Sequence, residues 1–154
     1  MAVAQANNDF WSCCKSGDIS NIKEMWNGPK KVLQNIEVAD HEGKNGLIHA
    51  AMNNHREVLD YLLTENLDIN YRDNDGRTAL HHASNKDFKS LIIFLLMNGA
   101  DPGIKDKAKD PEGKEIEGKV PGAESGKMRN FINDVSWRHL SADLRGEPVL
   151  READ

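Results

Sequence analysis

Apolar residues fall at helical spacing in short blocks separated by turn residues. From Phe10 to Trp26 the apolar positions are Phe10, Trp11, Cys13, Cys14, Ile22, Met25 and Trp26, with Ser16-Gly17-Asp18 interrupting them. That pattern predicts two helices joined by a turn, the second stopped by Asn27-Gly28-Pro29. In the segment Lys30 to Ala39, Val32, Leu33, Ile36 and Val38 are placed to tuck under this first pair, and Lys30-Lys31 reads as solvated surface. A short helix is predicted over Gly46 to Met52, where Ala50 and Ala51 permit close approach of a neighbour. The next, Arg56 to Thr64, sets Val58, Leu59, Leu62 and Leu63 on one face. Ser90 to Met97 is nearly all apolar, and Met128, Phe131, Ile132 and Val135 form the stripe of a last helix, extended by Trp137 and Leu140. The polar, breaker-rich end from Ser141 onward reads as a tail, with Leu144, Val149 and Leu150 as a candidate docking peptide.

These blocks repeat. Asp40 and Asp73, Gly43 and Gly76, Leu47 and Leu80, Ala50 and Ala83, Leu62 and Leu95, Leu63 and Leu96, and Asp68 and Asp101 are all 33 positions apart. One constant offset at that period is the signature of a helical repeat array, and Asp73 to Asp101 resembles one complete ankyrin repeat. Thr78-Ala79-Leu80-His81 is similar to the family's Thr-Pro-Leu-His tetrapeptide. The resemblance implies that Thr78 caps a first helix and that His81 bonds neighbouring loop backbone. The preceding repeat has Asn45-Gly46-Leu47-Ile48 there, which predicts a weaker helix start. The implied architecture is an all-α ankyrin-repeat solenoid of about four helix-turn-helix repeats with divergent ends. Its repeats span about 9–39, 40–72, 73–105 and 106–140, after an N-terminal arm at 1–8 and before a tail at 141–154. Trp11 and Trp26 are expected to cover the N-terminal end of the stack.

The fourth repeat is out of register. Its turn glycine is due at position 109, but the best match is Gly118 in Gly118-Lys119-Val120-Pro121, which implies nine extra residues, an insertion at about 107–117. Asp110-Pro111-Glu112-Gly113 is a turn signal, so the excess is expected to form a longer hairpin or loop. Ile93 replaces the outward charge of Asp60 one repeat earlier; either the chain after Gly103 folds back over it, the favoured reading given the long insertion that follows, or a partner covers it.

Composition narrows the function class. With 25 acidic and 20 basic residues the net charge is −5, against generic binding to nucleic acid or anionic lipid. Lysines 105, 107, 109, 114 and 119 alternate with acids and read as self-neutralised surface. MAVAQANNDF lacks the basic and apolar regions of a secretory signal, and Leu91 to Met97 is too short to span a bilayer. The two cysteines, Cys13 and Cys14, are adjacent and badly placed for a disulfide, which points to a reducing compartment: cytoplasm, or nucleus. His81 and His82 point about 100° apart on a helix and neither has a ligand at i+4, so a metal reading fails on geometry. GKEIEGK lacks the hydroxyl residue of a phosphate loop, and no Gly-x-Ser-x-Gly turn is present. The chain therefore reads as no enzyme, with no cofactor, no metal, no small-molecule substrate, no nucleic acid and no membrane insertion.

The resemblance implies protein–protein recognition on a concave face made by hairpin tips and first helices. Carried over by position, this gives His41, Glu42, Lys44, Met52 and Asn53 in the second repeat and Asn74, Asp75, Arg77, Asn85 and Lys86 in the third, with Lys15 and Ser16 continuing the row. Tyr71 and Arg72 add an aromatic and a guanidinium, types enriched at interface hot spots, and Tyr71, Arg72, Arg77 and Met52 are the strongest candidates. The family's asparagine-hydroxylation sites resemble Leu62 to Asn70, LLTENLDIN, which would be a modification of this chain. The leading reading is an intracellular adaptor or scaffold binding a protein partner. The alternatives are a stoichiometric inhibitor of an enzyme or transcription factor and a structural subunit of a large assembly.

Overall fold

The computed structural model describes residues 2–145. Among them three helix pairs follow one another: α1 (Ala2–Ser16) with α2 (Ile19–Asn27), α3 (Gly46–Met52) with α4 (Arg56–Thr64), and α5 (Ala79–Asn85) with α6 (Lys89–Met97). A small hairpin, β1 (Ala108–Lys109) and β2 (Glu115–Ile116), and one long helix, α7 (Gly126–Arg145), complete the chain. First helices stack on first helices, α1 on α3 on α5, while α2 meets α4 and α6 meets α7. The small residues Ala50, Ala51, Ala79 and Ala83 are fully buried between the first helices. Phe10, Cys14, Ile22, Leu47, Leu59, Leu62, Leu80, Leu91, Ile92 and Leu95 fill the core around them, each stabilising the stack by roughly 1.5–3 kcal/mol of apolar burial for the larger aliphatics.

Each second helix begins at a matching corner. Asp18, His55 and Phe88 are the N-caps of α2, α4 and α6. The first two lie 37 residues apart and the last two 33, so the connection from Lys30 to Ala39 carries four extra residues. Leu33 and Ile36 from this connection are buried, Val38 is half-buried and Val32 is exposed. The Leu33 N–H donates to Met25 O at 3.0 Å, closing the segment back onto α2.

Several expectations need adjustment. Residues 2–8, read as an arm, are the first turns of α1, where Ala6 is buried against the stack. The two tryptophans bridge within the stack: Trp11 Nε1 donates to Val38 O at 3.1 Å, and Trp26 Nε1 donates to Glu65 Oε2 at 2.8 Å in the next pair. The start of α3, expected to be weaker than that of the next repeat, carries a side-chain cap in which Asn45 Oδ1 accepts from Ile48 N–H at 3.1 Å, as asparagine does at N-caps. In the fourth unit a turn occupies the place of a first helix, Pro121 and Gly122 are buried in it, and a single helix follows. On α7 Met128 and Ile132 are buried and Phe131 and Val135 half-buried, but Trp137 is 66% exposed and does not extend the stripe. The side chain of Leu140 lies outside the described residues, as do residues 146–154 of the expected tail, Val149 and Leu150 among them; 141–145 continue α7. Ile93 is half-buried on α6, and the hydrogen bonds of the insertion run to the loops of the third repeat, none of those described reaching α6.

Candidate functional site

The hairpin loops are built on an aspartate turn that occurs three times. Asp40 N–H donates to Lys44 O (3.0 Å), Gly43 N–H to Asp40 O (2.9 Å), and Lys44 N–H to Asp40 Oδ1 (3.0 Å). Asp73, Gly76 and Arg77 repeat those bonds at 3.0, 2.9 and 3.0 Å. Asp110, Gly113 and Lys114 repeat them at 2.9, 2.8 and 2.8 Å. The side chain satisfies a backbone donor that a tight turn would otherwise leave orphaned. In each case the sequence is Asp-x-x-Gly-Lys/Arg.

The third copy sits at the tip of the inserted hairpin. Asp106 N–H donates to Lys119 O at 2.9 Å, and Lys119 N–H returns to Asp106 Oδ1 at 2.7 Å. This is the bond pair of Asp73 and Arg77 with a span of thirteen residues in place of four, nine residues longer. The intervening residues form a two-stranded stalk, Ala108 opposite Ile116 and Lys109 opposite Glu115. Gly118 is obligatory at its base, because a Cβ there would lie 1.8 Å from the carbonyl oxygen of Asp106.

Successive loops are tied to one another. Asn74 N–H donates to Glu42 O (3.0 Å), and 33 residues on Lys107 N–H donates to Asp75 O (2.7 Å). Asn74 Nδ2 also reaches His41 O (3.1 Å), Arg72 Nη2 reaches Lys105 O (2.7 Å), and Asp101 N–H reaches Asn70 Oδ1 (2.8 Å). His81 completes the joint to the fourth unit. Thr78 N–H donates to its Nδ1 at 3.1 Å, which fixes the tautomer, so Nε2 carries the hydrogen given to Lys119 O at 3.0 Å. His81 thus plays the role that the tetrapeptide implies, and Thr78 is the N-cap residue of α5.

A second tie, invisible to the motif, fastens each loop to its first helix. His49 Nε2 lies 2.8 Å from Asp40 Oδ2, and His82 Nε2 lies 2.9 Å from Asp73 Oδ2. A carboxylate can only accept, so each Nε2 is the donor. Burial, assisted by Lys15 and Lys44, holds His49 below its ordinary pKa against the pull of Asp40. His81 is lowered chiefly by burial. Burial pushes Asp40 and Asp73 upward, but their backbone donors and histidine partners outweigh it and both end below the usual carboxylate value. The His49–Asp40 pair therefore rests as neutral imidazole and carboxylate. The signal for them was present in the sequence: Asp and His recur nine residues apart in both repeats.

The residues chosen from sequence divide into two groups. Lys44 is buried, with its ammonium on Glu42 and facing Asp73. Arg77 is half-buried, its Nε 3.3 Å from Asp106 Oδ2. Arg72 bonds Gly76 O as well as Lys105 O, and Asn53 Nδ2 caps α3 on His49 O at 2.9 Å. With Asn74, these side chains are consumed in building the row. Met52 and Tyr71 are half-buried, and Asp75, Asn85 and Lys86 are exposed, with no side-chain bond among the described residues. His41 is exposed beside Glu42. Lys15 and Ser16 are exposed at the corner below α1, where Lys15 O accepts from His55 Nε2 at 2.8 Å.

Cys14 is buried and its thiol pushed far up, Cys13 is raised by burial and by Asp18 and Asp9, and so neither offers a thiolate. A cleft of about 600 Å³ between the end of α5 and the start of α7 is lined by Ser84, Asn85, Met128 and Phe131 with the charged side chains of Asp87, Lys89, Glu124 and Lys127 among others. Among the described residues no helix is long and apolar enough to cross a membrane. The family model for ankyrin repeats (three copies) matches residues 10–106. No curated protein matches the chain.

Proposed function

The chain belongs to the ankyrin-repeat family, and from that premise we propose that it is an adaptor or scaffold that binds a protein partner on its concave loop-and-first-helix face. Ankyrin repeats are in general protein–protein interaction modules and are typically non-enzymatic. The observation that carries the finer reading is the division of labour along the loop row. Arg72, Asn74 and Arg77 lock consecutive loops together and Lys44 is held by Glu42 within its own loop, while Met52, Tyr71, Asp75, Asn85 and Lys86 stay uncommitted on a surface already ordered. A preorganised surface loses little side-chain and loop entropy on association. A cytoplasmic setting fits the reduced cysteine pair.

Affinity capture with mass spectrometry tests this, using wild type, a Tyr71→Ser/Lys86→Glu variant, an Asp60→Lys control on the second-helix face, and a chain ending at Arg145. Loss of a partner with the first variant, and retention with the control, is the expected result. Loss with the control alone would move recognition to the opposite face, and loss with the shortened chain alone would move it to residues 146–154.

A further inference from the structure

We infer that Asn98 is a site of spontaneous covalent modification, deamidation through a succinimide formed with Gly99. The chain contains three Asn-Gly pairs: Asn27-Gly28, Asn45-Gly46 and Asn98-Gly99. In each, the glycine nitrogen can attack the asparagine side-chain carbonyl carbon. The new C–N bond closes a five-membered imide, the bond to Nδ2 breaks, and ammonia leaves with the glycine proton. Water then opens the imide at either carbonyl, giving aspartate or isoaspartate, so water is the one further reactant. No redox change is involved.

The three pairs sit in unequal surroundings. Asn45 is 2% exposed, its Oδ1 caps α3, and the space beside Gly46 is filled by the Phe10 ring and the Cys14 sulfur. Ring closure there requires the α1–α3 contact to open. Asn27 is exposed, but its Nδ2 is held by Tyr61 OH across the repeat boundary at 2.9 Å. The Gly28 N–H is bonded to Glu24 O at 2.8 Å, and that carbonyl stands 2.2 Å from where a Gly28 Cβ would lie. Asn98 and Gly99 are both exposed and nothing comes within 4 Å of a Gly99 Cβ position, so the ring has room to form. What holds Asn98 is the last turn of α6: Nδ2 on Phe94 O (2.7 Å) and the longer Gly99 N–H bond to Leu96 O (3.2 Å). Helix ends fray at low cost, without opening the core.

The product matters to the stack. It loses the Nδ2 bond that caps α6 and places a carboxylate at a helix C-terminus, where the dipole disfavours negative charge. Isoaspartate also adds a backbone atom just ahead of Asp101, whose N–H joins the third repeat to Asn70 of the second.

The folded full-length chain is held at neutral and at mildly alkaline pH and mapped over time by peptide mass spectrometry with fragmentation that separates isoaspartate from aspartate. Conversion at Asn98 is expected to lead that at Asn45 by about tenfold or more, to lead Asn27, and to accelerate with pH. In the urea-unfolded chain the three sites are expected to converge. Asn98→Gln, which disfavours the five-membered ring, should remove the event while leaving the melting profile near wild type. Equal rates at the three sites in the folded chain, or an unmodified Asn98 in a folded chain whose unfolded form reacts, would overturn the inference.

Discussion

Asp73 Oδ2 accepts the Nε2 hydrogen of His82 at 2.9 Å, with the aspartate side chain fully buried and the histidine nearly so. The other oxygen of the same carboxylate takes the N–H groups of Asp75 and Arg77, each at 3.0 Å. One side chain thus shapes the loop and joins it to α5. Asp73→Ala leaves three donors without that acceptor, and the expected cost is on the order of 3 kcal/mol. Urea denaturation of Asp73→Ala, His82→Ala and the double variant gives the coupling energy. A cycle that closes additively would mean the pair is a neighbour relation without energetic content.

Two buried histidines and the two loop aspartates fix the direction of the pH response. His49 and His81 have folded pKa values below their ordinary 6.5. The unfolded chain therefore binds more protons first as pH falls, and stability drops below about 6.5. Asp40 and Asp73 lie below their ordinary 3.8, so their contribution is present above that value and is lost on further acidification toward the folded pKa. Both sets act in one direction: the urea midpoint should fall from pH 7 to pH 5 and fall again below about pH 4. A midpoint that rises over the first interval would show that the histidines are charged in the folded state.

Gly118 is expected to tolerate no side chain. Gly118→Ala drives a Cβ to 1.8 Å from backbone that cannot swing aside, whereas nothing lies within 4 Å of a Gly126 Cβ at the start of α7. The first substitution should cost about 2 kcal/mol or more through overpacking, the second should be neutral or slightly stabilising, as alanine is the better helix former. Thermal melts of the two single variants decide it. Similar melting temperatures would mean that the stalk base is loose.

How much of this was legible beforehand follows from where the physics is local. The limits of α3 and α4 are readable to the residue because Leu47 to Met52 and Val58 to Leu63 carry their own periodicity between turn residues. The nine inserted residues are readable because a constant register makes any excess visible. The candidate surface is harder. Arg72 and Arg77 have the side chains of hot-spot residues, but whether a guanidinium is free depends on carbonyls and carboxylates 29 to 33 residues away. Trp137 fails for the same reason: an apolar side chain on a helix announces burial, and only the packing of α7 on α6 determines which face is covered.

The inserted hairpin is the feature most open to a functional test, because it can be removed without breaking the turn beneath it. Deleting Lys107 to Glu115 joins Asp106 to Ile116 and leaves Asp-Ile-Glu-Gly-Lys, the same Asp-x-x-Gly-Lys/Arg pattern as the loops at Asp40 and Asp73. The shortened loop can remake the Asp106–Lys119 bonds over four residues, and a backbone N–H remains at the position from which Lys107 reaches Asp75. Loop shortening of this size changes closure entropy by about 1 kcal/mol, in favour of the shorter loop. The variant is therefore expected to stay folded, with a urea midpoint close to wild type and an unchanged far-ultraviolet helical signal. If it unfolds, the stalk is part of the structural cap of the stack. If it folds as expected, any partner lost in affinity capture is lost from the hairpin itself, since Arg72, Arg77 and His81 keep their acceptors in Lys105, Asp106 and Lys119.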